Sequence, residues 1–344
     1  MSPKSPKTER SVMERLSSML EEQYTLKKEI GRGGMSVVYL AKDLRHDRLV
    51  AVKLVQPEIT TASSAERFLR EIQITAKLQH PHILPLLDSG ANEGLLYYIM
   101  PHIEGESLRD RLSADDRLSF EEAIGITQQV AAALQHAHDN GIIHRDVKPE
   151  NILLSAGLAV LSDFGVASAV GDDENDSTTR FTVGTPAYMA PEQAEREKVD
   201  HRADQYSLAC VLFEMLTGAP PFFAGTVGET IQRRLTESVP RLSETRPDLP
   251  AELDEIFGRA LARKPRNRYE SVEEFSQALE GLPPAAEQEE ARATSAVARP
   301  QSSPGLVKQA SPPPARDLGR RVLVLGGILS LIVIILLELF GDTW

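Results

Sequence analysis

The stretch "IIHRDVKPENILL", residues 142–154, sets five ionisable side chains and one amide between apolar anchors. His144, Arg145, Asp146, Lys148, Glu150 and Asn151 lie between Ile142 and Ile143 on one side and Ile152 and Leu153 on the other. Cores exclude charge unless it is paired, and surface loops are usually flanked by polar residues. Such an island is a polar turn between core segments, a buried ion network, or a site. A second stretch, "IGRGGMSVVYLAK", places Gly31 and Gly33 between two strand-like runs, with Ser36 where a third glycine would complete G-x-G-x-x-G. Backbone N–H groups of such a turn can cradle phosphate, although a plain hairpin uses the same residues. No helix follows at once, as a dinucleotide fold requires, and no Gly-Lys-Ser/Thr follows, as a Walker loop requires. Instead a strand pattern leads to "VAVK", ending at Lys53.

These features belong to an ordered set. After Gly31, Gly33 and Lys53 come Glu71 in a helix-patterned segment, "HRDVKPEN", "DFG" from Asp163, "APE" from Ala190, "DQYSLA" from Asp204 and "NRY" containing Arg268. On these motifs, across about residues 24–281, the sequence resembles eukaryotic-type (Hanks-type) protein kinases, and most closely the bacterial membrane-anchored serine/threonine kinases.

That resemblance implies phosphoryl transfer from ATP, a reaction that asks a protein for positioning and electrostatic stabilisation. It implies that Asp146 orients the acceptor hydroxyl and takes its proton, that Lys148 neutralises the transferring phosphoryl, and that Asn151 and Asp163 hold Mg²⁺, with Mn²⁺ a possible substitute. Lys53 grips the α- and β-phosphates and Glu71 fixes its ammonium. Ile30, Val38, Ala51, Met100 and Leu153 become adenine walls, with the Pro101 carbonyl and the Ile103 N–H as hydrogen-bond partners. The Ser36 departure makes the phosphate turn less permissive but keeps its backbone donors. Lys148 and Thr185 in "GTPAYMAPE" match the serine/threonine branch, and Glu192, Asp204 and Arg268 are structural by the same likeness, as is Thr185. Activation is expected through phosphorylation of Thr179 or Thr182 in an acidic, hydroxyl-rich segment, with Arg145 receiving the phosphate. A partner-binding scaffold without turnover and a small-molecule kinase are rival readings. The intact Lys53, Glu71, Asp146, Asn151 and Asp163 argue against the first, and the full "GTPAYMAPE" against the second.

The elements that must position these residues read as α+β, strands first and helices later, hence a bilobal fold with a small β-rich lobe and a larger helical one. "YTLKKEIG", "SVVYLAK" and "LVAVKLV" are β-branched-rich, "SAERFLREIQITAKL" has helical spacing, and "LLYYIMPHIEG" is a strand entering a connection. Ser11 with Glu14 predicts the start of a leader helix, and Ser119 with Glu122 a capping box for the helix that ends at Asn140 and Gly141. His136 and His138 are two apart and do not share a face as an i, i+4 metal pair would. The single cysteine, Cys210, lies in an apolar run and predicts a buried structural thiol.

A net charge of -12 without a long basic run argues against nucleic acid as a partner. The start has no apolar h-region, so no secretory signal is expected. Five segments are expected: a leader (1–23), the kinase domain (24–281), a Pro/Ala/Ser-rich disordered linker (282–320), a transmembrane helix (321–340) and a short extracytoplasmic tail (341–344). Residues 322–340 as a helix would span roughly 28 Å, close to the hydrocarbon thickness. Arg320 and Arg321 on its N-terminal side predict a kinase domain in the cytoplasm, tethered by a single pass to the cytoplasmic membrane. With so short a tail, no folded extracellular sensor is expected. The expected partners are protein substrates, the membrane and a second copy for trans-autophosphorylation, the Gly326 and Ser330 spacing being a weak pointer to helix pairing.

Overall fold

The computed structural model describes residues 6–34, 36–55, 62–92, 94–164 and 187–282. The chain divides into two compact units, Met1–Thr294 and Ser295–Trp344, and the second lies wholly outside the described residues. The expected membrane helix and tail lie outside them, as does the expected linker apart from Leu282, which packs on the large-lobe core. Among the described residues, no helix is long and apolar enough to cross a membrane.

The small lobe is built on an antiparallel sheet of strands β1 (Tyr24–Arg32), β2 (Ser36–Asp43), β3 (Arg48–Val55), β4 (Asp88–Asn92) and β5 (Leu95–Pro101), in the order β1-β2-β3-β5-β4. Alternation sorts the side chains onto two faces. Val37, Tyr39, Val50, Val52, Leu54, Leu95 and Ile99 pack with Leu16 and Leu20 of helix α1 (Pro6–Leu20). On the opposite face Val55, Leu96 and Tyr98 pack with Phe68 and Ile72 of α2 (Ala62–Thr75). The sheet is thus covered by a helix on either side.

Ser11 is not the start of α1. That helix begins five residues earlier, at Pro6, because proline fits the first helical turn, where its missing N–H would have no partner. Strand β4, "DSGAN", was not expected from the sequence.

After β5 the chain enters β6 (Glu106–Ser107), α3 (Leu108–Asp115) and α4 (Phe120–Asp139). Ser119 Oγ accepts from the Glu122 N–H at 3.1 Å, as expected. The return half of the box differs, because the Glu122 carboxylate instead accepts from Arg111 at 2.8 Å. A 3₁₀ turn at Pro149–Asn151 leads into the hairpin β7 (Ile152–Ser155) and β8 (Leu158–Leu161). Its two turn residues, Ala156 and Gly157, have φ of 48° and 81°, the handedness that a two-residue hairpin requires.

The rest of the large lobe comprises α5 (Pro191–Ala194), α6 (Arg202–Thr217), α7 (Val227–Thr236), α8 (Leu242–Thr245), α9 (Glu252–Ala260) and α10 (Val272–Glu280). Helix α6 is buried along nearly its whole length, including Cys210, as a helix threading the middle of a core must be. Burial pushes the Cys210 thiol up to about 12, which keeps it protonated and inert. Gly218 ends α6 at φ 89°, and an added Cβ would meet the Asp116 carbonyl oxygen at 3.0 Å, so glycine is required there.

Candidate active site

Strand register assembles the first half of the site. Gly31 pairs with Val38, Val38 with Lys53, and Lys53 with Tyr98, which makes one row across β1, β2, β3 and β5. The next row on the same face runs Leu40, Ala51, Met100. Lys53 alternates with Val52 and Leu54, so their packing against α1 directs the ammonium to the opposite face. There Lys53 Nζ meets Asp163 Oδ2 at 2.5 Å, with side chains 16% and 15% exposed. Glu71 lies on α2, but its side chain is outside the described set, so the expected Lys53–Glu71 pair is too. Ile30 ends up 41% exposed near the end of β1, while Leu153 is on β7, paired with Val160. Pro101 ends β5 opposite Val50, and Ile103 follows it in the connection between lobes.

The charge island assembles the second half. Lys148 Nζ donates to Asp146 Oδ2 at 2.6 Å, and Asn151 Nδ2 donates to the same oxygen at 3.1 Å and to the Asp146 carbonyl at 2.8 Å. His144, only 1% exposed, accepts from the Asp146 N–H through Nδ1 at 3.2 Å and donates through Nε2 to the Ser162 carbonyl at 2.8 Å. Its ring meets Phe164 edge-on at 4.5 Å between centroids. The loop carrying Asp146 is thereby tied to the strand end carrying Asp163.

Asp204, at the start of α6 and fully buried, anchors this loop. Its Oδ1 accepts from the Arg145 N–H at 2.7 Å, and its Oδ2 accepts from the His144 N–H and from His138 Nε2, both at 2.8 Å. Burial alone would raise its pKa, but the hydrogen bonds from His138 and from the His144 N–H, with the electrostatic influence of the two rings, outweigh burial and hold it below the usual carboxylate range. Arg145 and Asp163 adopt φ of 66° and 67°, which costs a non-glycine residue about 1–3 kcal/mol and persists only where neighbours over-determine it. The Asp204 bond to the Arg145 N–H is one such determinant. His138 thus works through a hydrogen bond to a residue 66 positions away, which its local spacing does not reveal.

Among the described residues, Asp163 has two donors. Besides Lys53, the Tyr98 hydroxyl donates to Oδ1 at 2.5 Å. Burial would raise the Asp163 pKa, yet the Lys53 charge and the hydrogen bonds from Lys53 and Tyr98 lower it, so the group is ionised. Asn151 donates through Nδ2, so its Oδ1 is the atom able to meet a cation. Asn151 Oδ1 and the Asp163 carboxylate are hard oxygen donors and fit Mg²⁺ or Mn²⁺, which keep few protein ligands when phosphates supply the rest.

Further out, Glu192 and Arg268 form a bidentate pair at 2.7 and 2.8 Å, with side chains 1% and 0% exposed. Arg109 of α3 links Glu150 at 3.0 Å, Glu214 at 2.8 Å and the Tyr188 hydroxyl. Thr179, Thr182 and Thr185 lie outside the described residues.

A family model described as the protein kinase domain matches residues 24–280. The chain is 40% identical over 277 residues to the serine/threonine-protein kinase PknB of Mycobacterium leprae, a match covering 78% of this chain and 44% of that protein. It is 42% identical over 271 residues to the serine/threonine-protein kinase PknD of Mycobacterium tuberculosis, covering 78% and 41%. The chain therefore spans less than half the length of these relatives. A crystal structure of Rad53 1-466 in complex with AMP-PNP shares the fold, with a TM-score of 0.64 and 24% identity over 75% of this chain and 65% of that one. With its bilobal architecture and the match over residues 24–280, the chain belongs to the protein kinase domain family, and the relatives it resembles there are serine/threonine-protein kinases.

Proposed function

We propose that this chain transfers the terminal phosphoryl group of ATP to serine and threonine hydroxyls of proteins, with Asp146 as the catalytic carboxylate. The observation that carries the reading is the grouping of Asp146, Lys148 and Asn151 on one loop, tied through His144 to the Lys53–Asp163 pair. Lys148 and Asn151 engage Asp146 Oδ2, which leaves Oδ1 to orient an acceptor hydroxyl and take its proton. Lys148 balances charge on the phosphoryl in flight, and Lys53 holds the α- and β-phosphates beneath the Gly31–Gly33 turn. A Mg²⁺ or Mn²⁺ ion held by Asn151 and Asp163 would neutralise charge on the phosphate oxygens. Ile30, Val38, Ala51, Met100 and Leu153 enclose adenine, and the Pro101 carbonyl and Ile103 N–H hydrogen-bond its edge.

Activation runs through phosphate on Thr179 or Thr182, received by Arg145 and placed by a second copy of the chain. Residues 321–340 tether the domain to the cytoplasmic face of the membrane, where it serves signalling.

Incubating the chain with Mg-ATP and myelin basic protein, beside Asp146→Asn, tests the reading. Label should appear on serine and threonine of the acceptor only with the unsubstituted chain, and mass spectrometry should find phosphate within residues 177–182. No transfer to any acceptor would overturn the enzyme reading. Equal activity in Thr179→Ala/Thr182→Ala would overturn the activation route.

A further inference from the structure

Strand β5 alternates cleanly. Leu95 and Ile99 pack on the α1 side, while Leu96 and Tyr98 pack on the α2 side. Tyr98 is 2% exposed, and its ring stands 6.3 Å from that of Phe68 on α2. Leucine or phenylalanine would serve such packing equally well, so the hydroxyl is the atom that needs a reason. Buried phenols find a hydrogen-bond partner, and here the partner is Asp163 Oδ1, at 2.5 Å. Lys53, directly opposite Tyr98 in the β3–β5 register, takes Oδ2 at 2.5 Å.

We propose that Tyr98 is a positioning residue that fixes the Asp163 carboxylate for a divalent cation. This rests on the reading of Asp163 as a cation ligand. A carboxylate held at one oxygen can still swing about its Cβ–Cγ bond, whereas one held at both by donors on rigid strands cannot. Each oxygen has two lone pairs, and the one donor that each has among the described residues leaves a lone pair for a cation. Hydrogen-bond partners behind a metal ligand commonly set its orientation and affinity in this way. Because the same ring packs on Phe68, Tyr98 also joins α2 mechanically to the carboxylate.

The test is Mn²⁺ binding, followed by electron paramagnetic resonance, to the full chain with AMP-PNP, so that no turnover is needed. Tyr98→Phe keeps the ring and removes the hydroxyl. It should weaken Mn²⁺ binding at least about tenfold, with the metal-free AMP-PNP affinity unchanged and the fold intact, its melting temperature lower only by the roughly 3–12 °C that one lost charge-assisted hydrogen bond implies. Tyr98→Leu should weaken Mn²⁺ binding to the same degree. Equal or tighter binding by Tyr98→Phe overturns the proposal, and overturns it in favour of simple packing if only Tyr98→Leu is impaired. If the unsubstituted chain binds no Mn²⁺, the assignment of Asp163 as a cation ligand falls as well.

Discussion

Replacing Asp204 with asparagine should uncouple the catalytic loop from the core of the large lobe. The carboxylate accepts three hydrogen bonds while fully buried: Arg145 N–H on Oδ1, His144 N–H and His138 Nε2 on Oδ2. Asparagine keeps one oxygen and puts an NH₂ donor in place of the other. With the oxygen kept on Arg145, that NH₂ faces the His144 N–H, donor against donor, while His138 can answer by changing tautomer. One charge-assisted bond, worth about 1.5–3 kcal/mol, is lost outright and the other two are weakened, so a total near 3 kcal/mol is expected. For a domain of this size that corresponds to a melting temperature lower by roughly 6–12 °C.

Catalysis should suffer separately, because a shift of about 1 Å in the Asp146 backbone costs on the order of a hundredfold in rate. The pH dependence carries the same signature. A carboxyl whose folded pKa is depressed contributes stability above its unfolded value of about 3.9, and that stability is lost as pH falls through the folded value. Asp204→Asn should therefore flatten the acid limb of the stability profile. Urea unfolding from neutral pH downwards, with single-turnover rates, reads both effects. A variant less than about 1 kcal/mol weaker, with unchanged kcat and an unchanged acid limb, would refute the anchoring argument.

Glu192→Gln should cost about 3–5 kcal/mol by leaving the Arg268 guanidinium buried without its counter-charge; denaturant titration checks it, and a wild-type midpoint would contradict it. Lys53→Met removes a charge contact worth roughly 4 kcal/mol at an effective dielectric of 20, so kcat/KM should fall about a thousandfold. A loss below about tenfold would mean that the Lys53 charge does not act in the transition state. Removing residues 319–344 should release a protein that still phosphorylates substrate in solution. If the full chain is instead washed from membranes by carbonate, a peripheral contact must replace the spanning helix.

The charge island was legible as a candidate catalytic loop because residues 144–151 are contiguous and stand out by type and spacing, and the structure adds their partners. Lys53 was legible as part of a strand, but not its pairing with Asp163, which depends on two elements 110 residues apart. Tyr98 was invisible as anything but core, since an aromatic in a strand reads the same whether or not its hydroxyl has work to do. Strand β4 escaped because "DSGAN" offers no apolar alternation and exists through pairing with β5. The β7–β8 turn was hidden because Ala156 occupies a position where asparagine or aspartate would have announced it. The Glu122 return bond failed because Arg111, absent from any local pattern, competes for the same carboxylate.

The helix on the outer side of the small-lobe sheet separates two boundaries that are easily taken as one. Similarity to the family begins at residue 24, but the folding unit does not. A fragment cut at Tyr24 would present Tyr39, Val52, Leu95 and Ile99 as a bare apolar wall, since Leu16 and Leu20 are what now cover it. Burying those two leucines alone is worth about 3–6 kcal/mol, comparable with the whole net stability of many domains. A catalytic fragment trimmed to the edge of homology would be expected to aggregate, or to pair through that wall, and its kinetics would describe a damaged lobe. Any tag or partner that pulls on residues 6–20 would likewise be pulling on the strand that carries Lys53.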